Sequence, residues 1–334
     1  MPNNLFSAGI PLLGEEDYRF KRGVSGAYDN YPAKNFYGPA VHTNDTHSAW
    51  DGRYFYIPFV TDKNYICRFD PLLETLDYFD TGLDLSQTLY ACVVVGQYLI
   101  TLAVDGYLTI VKTHIPTMTH QIFTSAYASY GIRPTVFNGD VWFPIMAATS
   151  RLVRFRLSDN SFYYITPSPV VAWVYGSCTD GVYVYFSGTH DPSKIIILDP
   201  VASTYTVYTL TAGQSDLAGI CYSGHYIFGT ILETNLKLMR FDPYTSSHIV
   251  ADLGAVYGSA PSVIIHHGVG FAIEEASPGH LFKFNPLTLS FRMYTFFAGD
   301  GSPQSLCSDG RFVYVGFYGA TTLFQRFTWL GPIA

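Results

Sequence analysis

Seven times along the chain a glycine stands at the head of a run of β-branched and aromatic residues, and the interval between these glycines is nearly constant. They are Gly52, Gly96, Gly139, Gly181, Gly224, Gly268 and Gly310, spaced 42 to 44 residues apart. The plainest copy is Asp180-Gly181 running into Val182 to Phe186, with Asp51-Gly52 and Asp309-Gly310 close to it. A glycine between two apolar runs supplies the positive φ that a tight hairpin turn needs. A period of this size, repeated seven times, restricts the chain to an array of similar β units, each too small to bury its own faces.

A second landmark falls 17 or 18 residues past each glycine. It is clearest at Asp70-Pro71, Asp199-Pro200, Asp242-Pro243 and Asn285-Pro286. Asp or Asn at the first turn position with Pro at the second is type I turn chemistry, because Pro presets φ and the side chain caps the turn. Alternating runs follow, as at Leu76 to Phe79 and Tyr205 to Tyr208. Each repeat therefore reads as four antiparallel strands, and the chain as an all-β, seven-bladed β-propeller. The turn glycines assign 31–334 to a single propeller domain, preceded by an N-terminal arm at 1–30. The seventh repeat ends after three strands, at Leu323 to Phe327. An open edge exposes unpaired backbone groups, so an N-terminal strand is expected to close this blade. Register points to Ala33 to Tyr37, with Tyr18 to Lys21 as the alternative.

Charge narrows the partners. A net charge of −7 and a sequence pI near 5.7 supply no basic patch to neutralise phosphates, which disfavours nucleic acid and anionic membrane surfaces. The N-terminus lacks a basic segment with an apolar run behind it, and no stretch reaches 18 apolar residues, so the chain reads as soluble, without a signal peptide and not inserted in a membrane. Of the five cysteines, Cys178, Cys221 and Cys307 each stand three residues before a turn glycine, where other repeats carry Ala49, Val93, Val136 and Ile265. They are expected to be buried free thiols in separate layers.

The cadence of glycine turn, aromatic strand and Phe-Asp-Pro, with Thr75, Thr204, Thr245 and Thr288 a few residues on, resembles seven-bladed propellers of the streptogramin lyase and YVTN-repeat kind. The likeness covers most of the chain and implies fold. For a lyase it would also imply a histidine and a carboxylate acting with a divalent metal at the central mouth. Blade six offers His266, His267, Glu274, Glu275 and His280, but none of these matches that family's motif, so no catalytic role is carried over. Trp-Asp occurs once, at Trp50-Asp51, away from the place where WD40 blades carry it. The 27 tyrosines and seven lysines look like those of a virion protein, including those of archaeal viruses.

In a propeller the glycine turns and the Asp-Pro turns share one face, and the remaining loops share the other, where binding normally resides. Six residues before each glycine stand Thr46, Tyr90, Arg133, Tyr175, Ala218, Ser262 and Gln304, which pseudo-symmetry sets around the channel mouth on that loop face. Farther out come Trp173, Tyr130, Tyr257, His190 and Asp191. Aromatic rings beside acids and amides suit contact with a protein or a glycan. His266 and His267 are strand neighbours that point to opposite faces, so one metal ion does not take both. No Ser, His and Asp nucleophile set is legible, and Gly299-Asp300-Gly301 has no following helix to make a phosphate cradle. The reading is a non-enzymatic binding module without cofactor or metal, plausible as a surface or virion component able to assemble into a larger particle. The alternative is a lyase or hydrolase working in the central pocket.

Overall fold

The computed structural model describes residues 34–37 and 47–328, apart from 61–62, 85, 106, 126, 128–129, 132, 147–150, 169–170, 172, 190–191, 234, 255–258, 277, 297–300 and 319–321. The N-terminal arm expected at 1–30 lies outside these residues. Seven antiparallel sheets follow one another around a ring, and no helix interrupts them among the described residues. None is therefore long and apolar enough to cross a membrane.

Blade four shows the plan, with strands Val174–Thr179, Val184–Gly188, Lys194–Asp199 and Thr204–Thr209 paired in that order. Its second strand is buried along its whole length, while its outer strand alternates exposed and half-buried positions. The difference follows from position, since inner strands are sandwiched between neighbouring blades and the outer strand borders solvent. The apolar core accordingly forms layers between blades. One layer joins Cys178 and Tyr185 of blade four to Ile227 and Phe241 of blade five.

All seven repeat glycines adopt positive φ, from 57° at Gly96 to 100° at Gly52. Where Asp precedes the glycine, in blades one, four and seven, one carboxylate oxygen accepts from two backbone N–H groups and the other from a tyrosine hydroxyl. In blade four, Asp180 accepts from Val182 N at 2.8 Å, Tyr183 N at 2.7 Å and the Tyr185 hydroxyl at 2.7 Å. Asp51 with Tyr56 and Asp309 with Tyr314 repeat the arrangement. At the other hairpin, Asp70, Asp199, Asp242 and Asn285 each accept from the backbone N–H groups two and three residues ahead. The capped turn read from Asp-Pro is present at all four.

The ring closes where the sequence indicated. Lys34–Tyr37 pairs antiparallel with Thr322–Thr328, with Asn35 opposite Gln325 and Phe36 opposite Phe324, and completes the seventh blade. Phe55 and Phe69 of blade one pack on Tyr314 and Phe324 of blade seven, with Phe55 and Tyr314 ring centroids 4.6 Å apart. Blade one also bonds to blade two through a parallel bridge between His47 and Ala91. The five cysteines are free thiols, with Cys221 half-buried and the other four buried.

Candidate functional site

The innermost strands line a central cavity of about 420 Å³ to which all seven blades contribute. The residue four places before each turn glycine faces it. Around the ring these are Ser48, Cys92, Thr135, Ser177, Ile220, Ile264 and Leu306. Blades one to four thus present hydroxyls and a thiol, and blades five to seven present aliphatic side chains. Among the described lining residues Arg133 is the one with a permanent charge, and none is a carboxylate.

Just ahead of these positions the pairing slips by one residue. The register steps between Leu89 and Ala91, between Val174 and Gly176, between Leu217 and Ile220, between Ser259 and Ser262, and between Pro303 and Ser305. In blade three the inner strand breaks outright between Tyr130–Gly131 and Thr135–Phe137. These are β-bulges, which re-aim side chains and interrupt alternation. Tyr90, Tyr175 and Gln304 are the extra residues of their bulges. Tyr90 and Tyr175 are half-buried and Gln304 is buried. Arg133 lies in the break of blade three at φ 48° and lines the cavity, as does Ser262.

The bulges are held by hydroxyls. Ser187 Oγ accepts from Gly176 N at 2.8 Å and donates to the Ala218 carbonyl of the next blade at 2.8 Å. Ser177 Oγ donates to the Arg133 carbonyl at 2.6 Å, which ties blade four to the backbone beneath the guanidinium. A Cβ on Gly176 would meet the Ala218 carbonyl at 2.8 Å, so the close approach of blades four and five requires glycine there. Gly176, Gly219, Pro261 and Pro303 mark four of the five bulges and Pro134 the break in blade three, since Gly or Pro inside a strand signals interrupted pairing; the bulge at Tyr90 carries no such mark.

Trp173 precedes the inner strand of blade four on the loop face, 46% exposed and with φ 51°. Its carbonyl accepts from Thr189 N at 2.9 Å and Thr189 Oγ1 at 3.0 Å. Tyr130 pairs with Met146 at the start of the broken strand. Tyr257, His190 and Asp191 lie outside the described residues, as does Thr46. Sequence reasoning missed His47 and Ser48, which line the cavity; His47 Nε2 is buried without a hydrogen-bond partner, and Ser48 interacts with the Cys307 thiol of blade seven. Burial, reinforced by the charge of Arg133, holds the His47 imidazole well below its usual pKa.

In blade six Glu274 is fully buried and its Oε2 lies 2.5 Å from His280 Nδ1, while its Oε1 has no hydrogen-bond partner. Neither side chain is among the described lining of the central cavity. His266 and His267 take different partners: His266 Nδ1 meets Ser308 Oγ at 2.7 Å, and His267 Nε2 meets the Gly310 carbonyl at 2.6 Å. Among the described residues no three His, Cys, Asp or Glu side chains converge as a metal site. On the turn face a second depression, of about 580 Å³, lies between blades four and five, with Tyr183, Tyr185, Tyr205 and Tyr244 in its walls.

No protein-family model matches the sequence, and no curated protein matches it. Solved structures do match in fold. A chain from the structure of the Mitotic Checkpoint Complex aligns with a TM-score of 0.73 at 11% identity, over 97% of this chain and 100% of that one. The RRP9 WD40 repeats align at 0.69 and 9% identity, over 89% of this chain and 97% of theirs. U3-55K aligns at 0.68 and 9%, over 89% and 98%. At such identities the likeness is one of fold, and it supports the seven-bladed propeller.

Proposed function

We propose that this propeller is a non-enzymatic binding module whose loop face meets a protein or glycan partner, as a surface or virion component. Tyr90, Arg133, Tyr175, Gln304, Trp173, Tyr130, Tyr257, His190 and Asp191 form the assigned contact set. The observation that carries the reading is Trp173. A large ring stands exposed on a left-handed backbone that Thr189 holds from two atoms. Strained backbone persists only where its surroundings over-determine it, and rigid aromatic anchors dominate interface energetics. That a similar fold occurs in the Mitotic Checkpoint Complex, and in WD40 repeats, supports a role in assembly.

The test compares the two faces. Cross-linking and affinity capture identify a partner, and a glycan array screens sugars. Trp173→Ala is expected to weaken retention of the ligand found by tenfold or more, the effect of a truncated hot spot, while Tyr244→Ala on the turn face leaves it unchanged. The reverse pattern would move the interface to the groove between blades four and five.

A second reading, a lyase or hydrolase of the streptogramin lyase kind, draws on the buried pair of Glu274 and His280. A carboxylate that orients an imidazole is the arrangement of a general base. Stoichiometric divalent metal in the purified protein, lost in His280→Ala, would favour this reading over the binding module.

A further inference from the structure

We propose that the groove between blades four and five on the turn face is a binding site for an arginine side chain of a partner polypeptide. It is independent of what the loop face recognises. At one position of the third strand the blades carry a cation: Arg68, Lys112, Arg154, Arg240, Lys283 and Arg326, paired across the hairpin with Tyr56, Ile100, Trp142, Phe228, Phe271 and Tyr314. In blade four the same position, opposite Tyr185, is Ile197. In blades one, two, five and seven the cation lies over an aromatic ring. Arg68 stands 4.8 Å from the centroid of Tyr54, Lys112 4.5 Å from Tyr98, Arg240 4.7 Å from Tyr226 and Arg326 4.7 Å from Phe312. Each of these rings follows its turn glycine by two residues, and Tyr183 follows Gly181 in the same way. Blade four therefore keeps the ring, 36% exposed, beside an aliphatic side chain in place of the cation.

Three of the cations also reach the turn of the next blade. Lys112 Nζ donates to Asn160 Oδ1 at 2.8 Å, Arg240 donates to the Pro286 carbonyl at 3.2 Å and to the Leu287 carbonyl, and Arg326 lies 3.6 Å from Glu74. The corresponding residues of blade five are Ser246 for Asn160 and Glu74, and Pro243 and Tyr244 for Pro286 and Leu287. All three line the groove, together with Tyr183 and Ile197. The groove thus joins a ring and a turn that elsewhere in the molecule enclose a cation. Charge agrees with this. In a chain of net charge −7 the described lining holds the carboxylate of Asp199 and no Lys, Arg or His. Asp199 Oδ1 accepts from Val201 N and Ala202 N, both at 2.9 Å, and a carboxylate has further acceptor sites for a guanidinium. A tyrosine face attracts the cation, and Ile197 offers apolar surface to its methylene stem. Arginine suits the site better than lysine because its planar fork meets two carbonyls at once, as Arg240 does. A volume of about 580 Å³ is that of a ligand much larger than a guanidinium, which leaves room for the backbone that carries it.

Calorimetric titration of the intact protein with N-acetyl-arginine amide, its neutral citrulline analogue and butylguanidinium at constant ionic strength tests the assignment. The arginine amide is expected to bind once per chain, about tenfold or more tighter than the citrulline analogue, the factor of a charged hydrogen bond, and tighter than butylguanidinium. Tyr183→Leu should weaken it about threefold, the loss of one exposed contact between cation and ring. Ile197→Arg gives blade four the cation of the other blades, which fold around it, and should abolish binding. Circular dichroism checks that both variants fold, and the wild-type comparison of arginine with citrulline stands without them. Equal binding of the citrulline analogue, binding unchanged by Ile197→Arg, or no binding at all would overturn the proposal. Butylguanidinium binding as tightly as the arginine amide would overturn the polypeptide as the source of the cation.

Discussion

Asp180 satisfies two backbone N–H groups and one buried phenol at the turn that Gly181 makes possible. Replacing Asp180 with Ala removes both acceptor oxygens, loses all three bonds and strands the hydroxyl of Tyr185, which is only 1% exposed. An unsatisfied buried donor costs more than the bond was worth, so Asp180→Ala is expected to lower unfolding free energy by roughly 2–4 kcal/mol. Tyr185→Phe removes donor and demand together and should cost only about 1 kcal/mol by the same principle. A double-mutant cycle in urea measures the coupling, and additive losses would refute the arrangement. Gly181 is a separate case. Its φ is 89°, and a Cβ built there meets nothing within 4 Å. Gly181→Val therefore carries only backbone strain, about 1–3 kcal/mol, and should fold with a lower denaturation midpoint. At Gly188, by contrast, a Cβ would stand 2.4 Å from Val171 Cγ1, so even Ala is opposed by packing.

At the scale of elements, closure of the ring rests on one short strand and one aromatic layer. Lys34–Tyr37 covers the edge of Thr322–Thr328. A chain beginning at residue 38 leaves that edge unpaired, and exposed edges template association. Such a chain is expected to melt earlier and to scatter light in a concentration-dependent manner, whereas an unchanged melt and a monodisperse solution would show that the strand is dispensable. Phe324→Ala opens a cavity against Phe55 and Phe69, and truncation of a buried phenylalanine costs about 3–5 kcal/mol. The bulged inner strands are the other decisive elements. With them the residue four places before the glycine faces a common axis in every blade, while of the residues six places before it Arg133 and Ser262 line the cavity and Tyr90, Tyr175 and Gln304 are not among its described lining.

For the whole molecule, burial sets a window of pH. His47, His120, His248 and His266 are all held below the ordinary imidazole value of 6.5, with burial as the main cause. A depressed histidine contributes stability that is present above 6.5 and lost as pH falls through its folded value. Burial pushes the Cys221 and Cys307 thiols from 9.0 up to about 12, and raises Tyr56, Tyr185 and Tyr314 above 10.0. Their contribution is complete below about 9 and lost as pH rises toward the folded values. Urea midpoints are therefore expected to be flat between about 6.5 and 9 and to fall on either side. A midpoint that climbs from pH 7 to pH 5 would contradict the buried histidines. The same burial keeps the thiols protonated at neutral pH, so native protein should react only slowly with iodoacetamide.

Local chemistry determined the architecture. Seven glycines at a steady interval, Asp-Pro turns and a missing last strand are readable without coordinates, because turn conformation and blade count depend on residues close in sequence. The resemblance to streptogramin lyase rested on those same turn residues, which build blades, and the comparisons support the seven-bladed fold alone. Tertiary structure decided which side chains share the channel. Arg133 and Ser262 stood in the expected ring and line the cavity, but His47 and Ser48 did not stand in it. Facing across a channel is a relation among seven strands separated by hundreds of residues. A one-residue bulge in five of them and a break in a sixth are enough to shift the alternation from which a sequence argument proceeds.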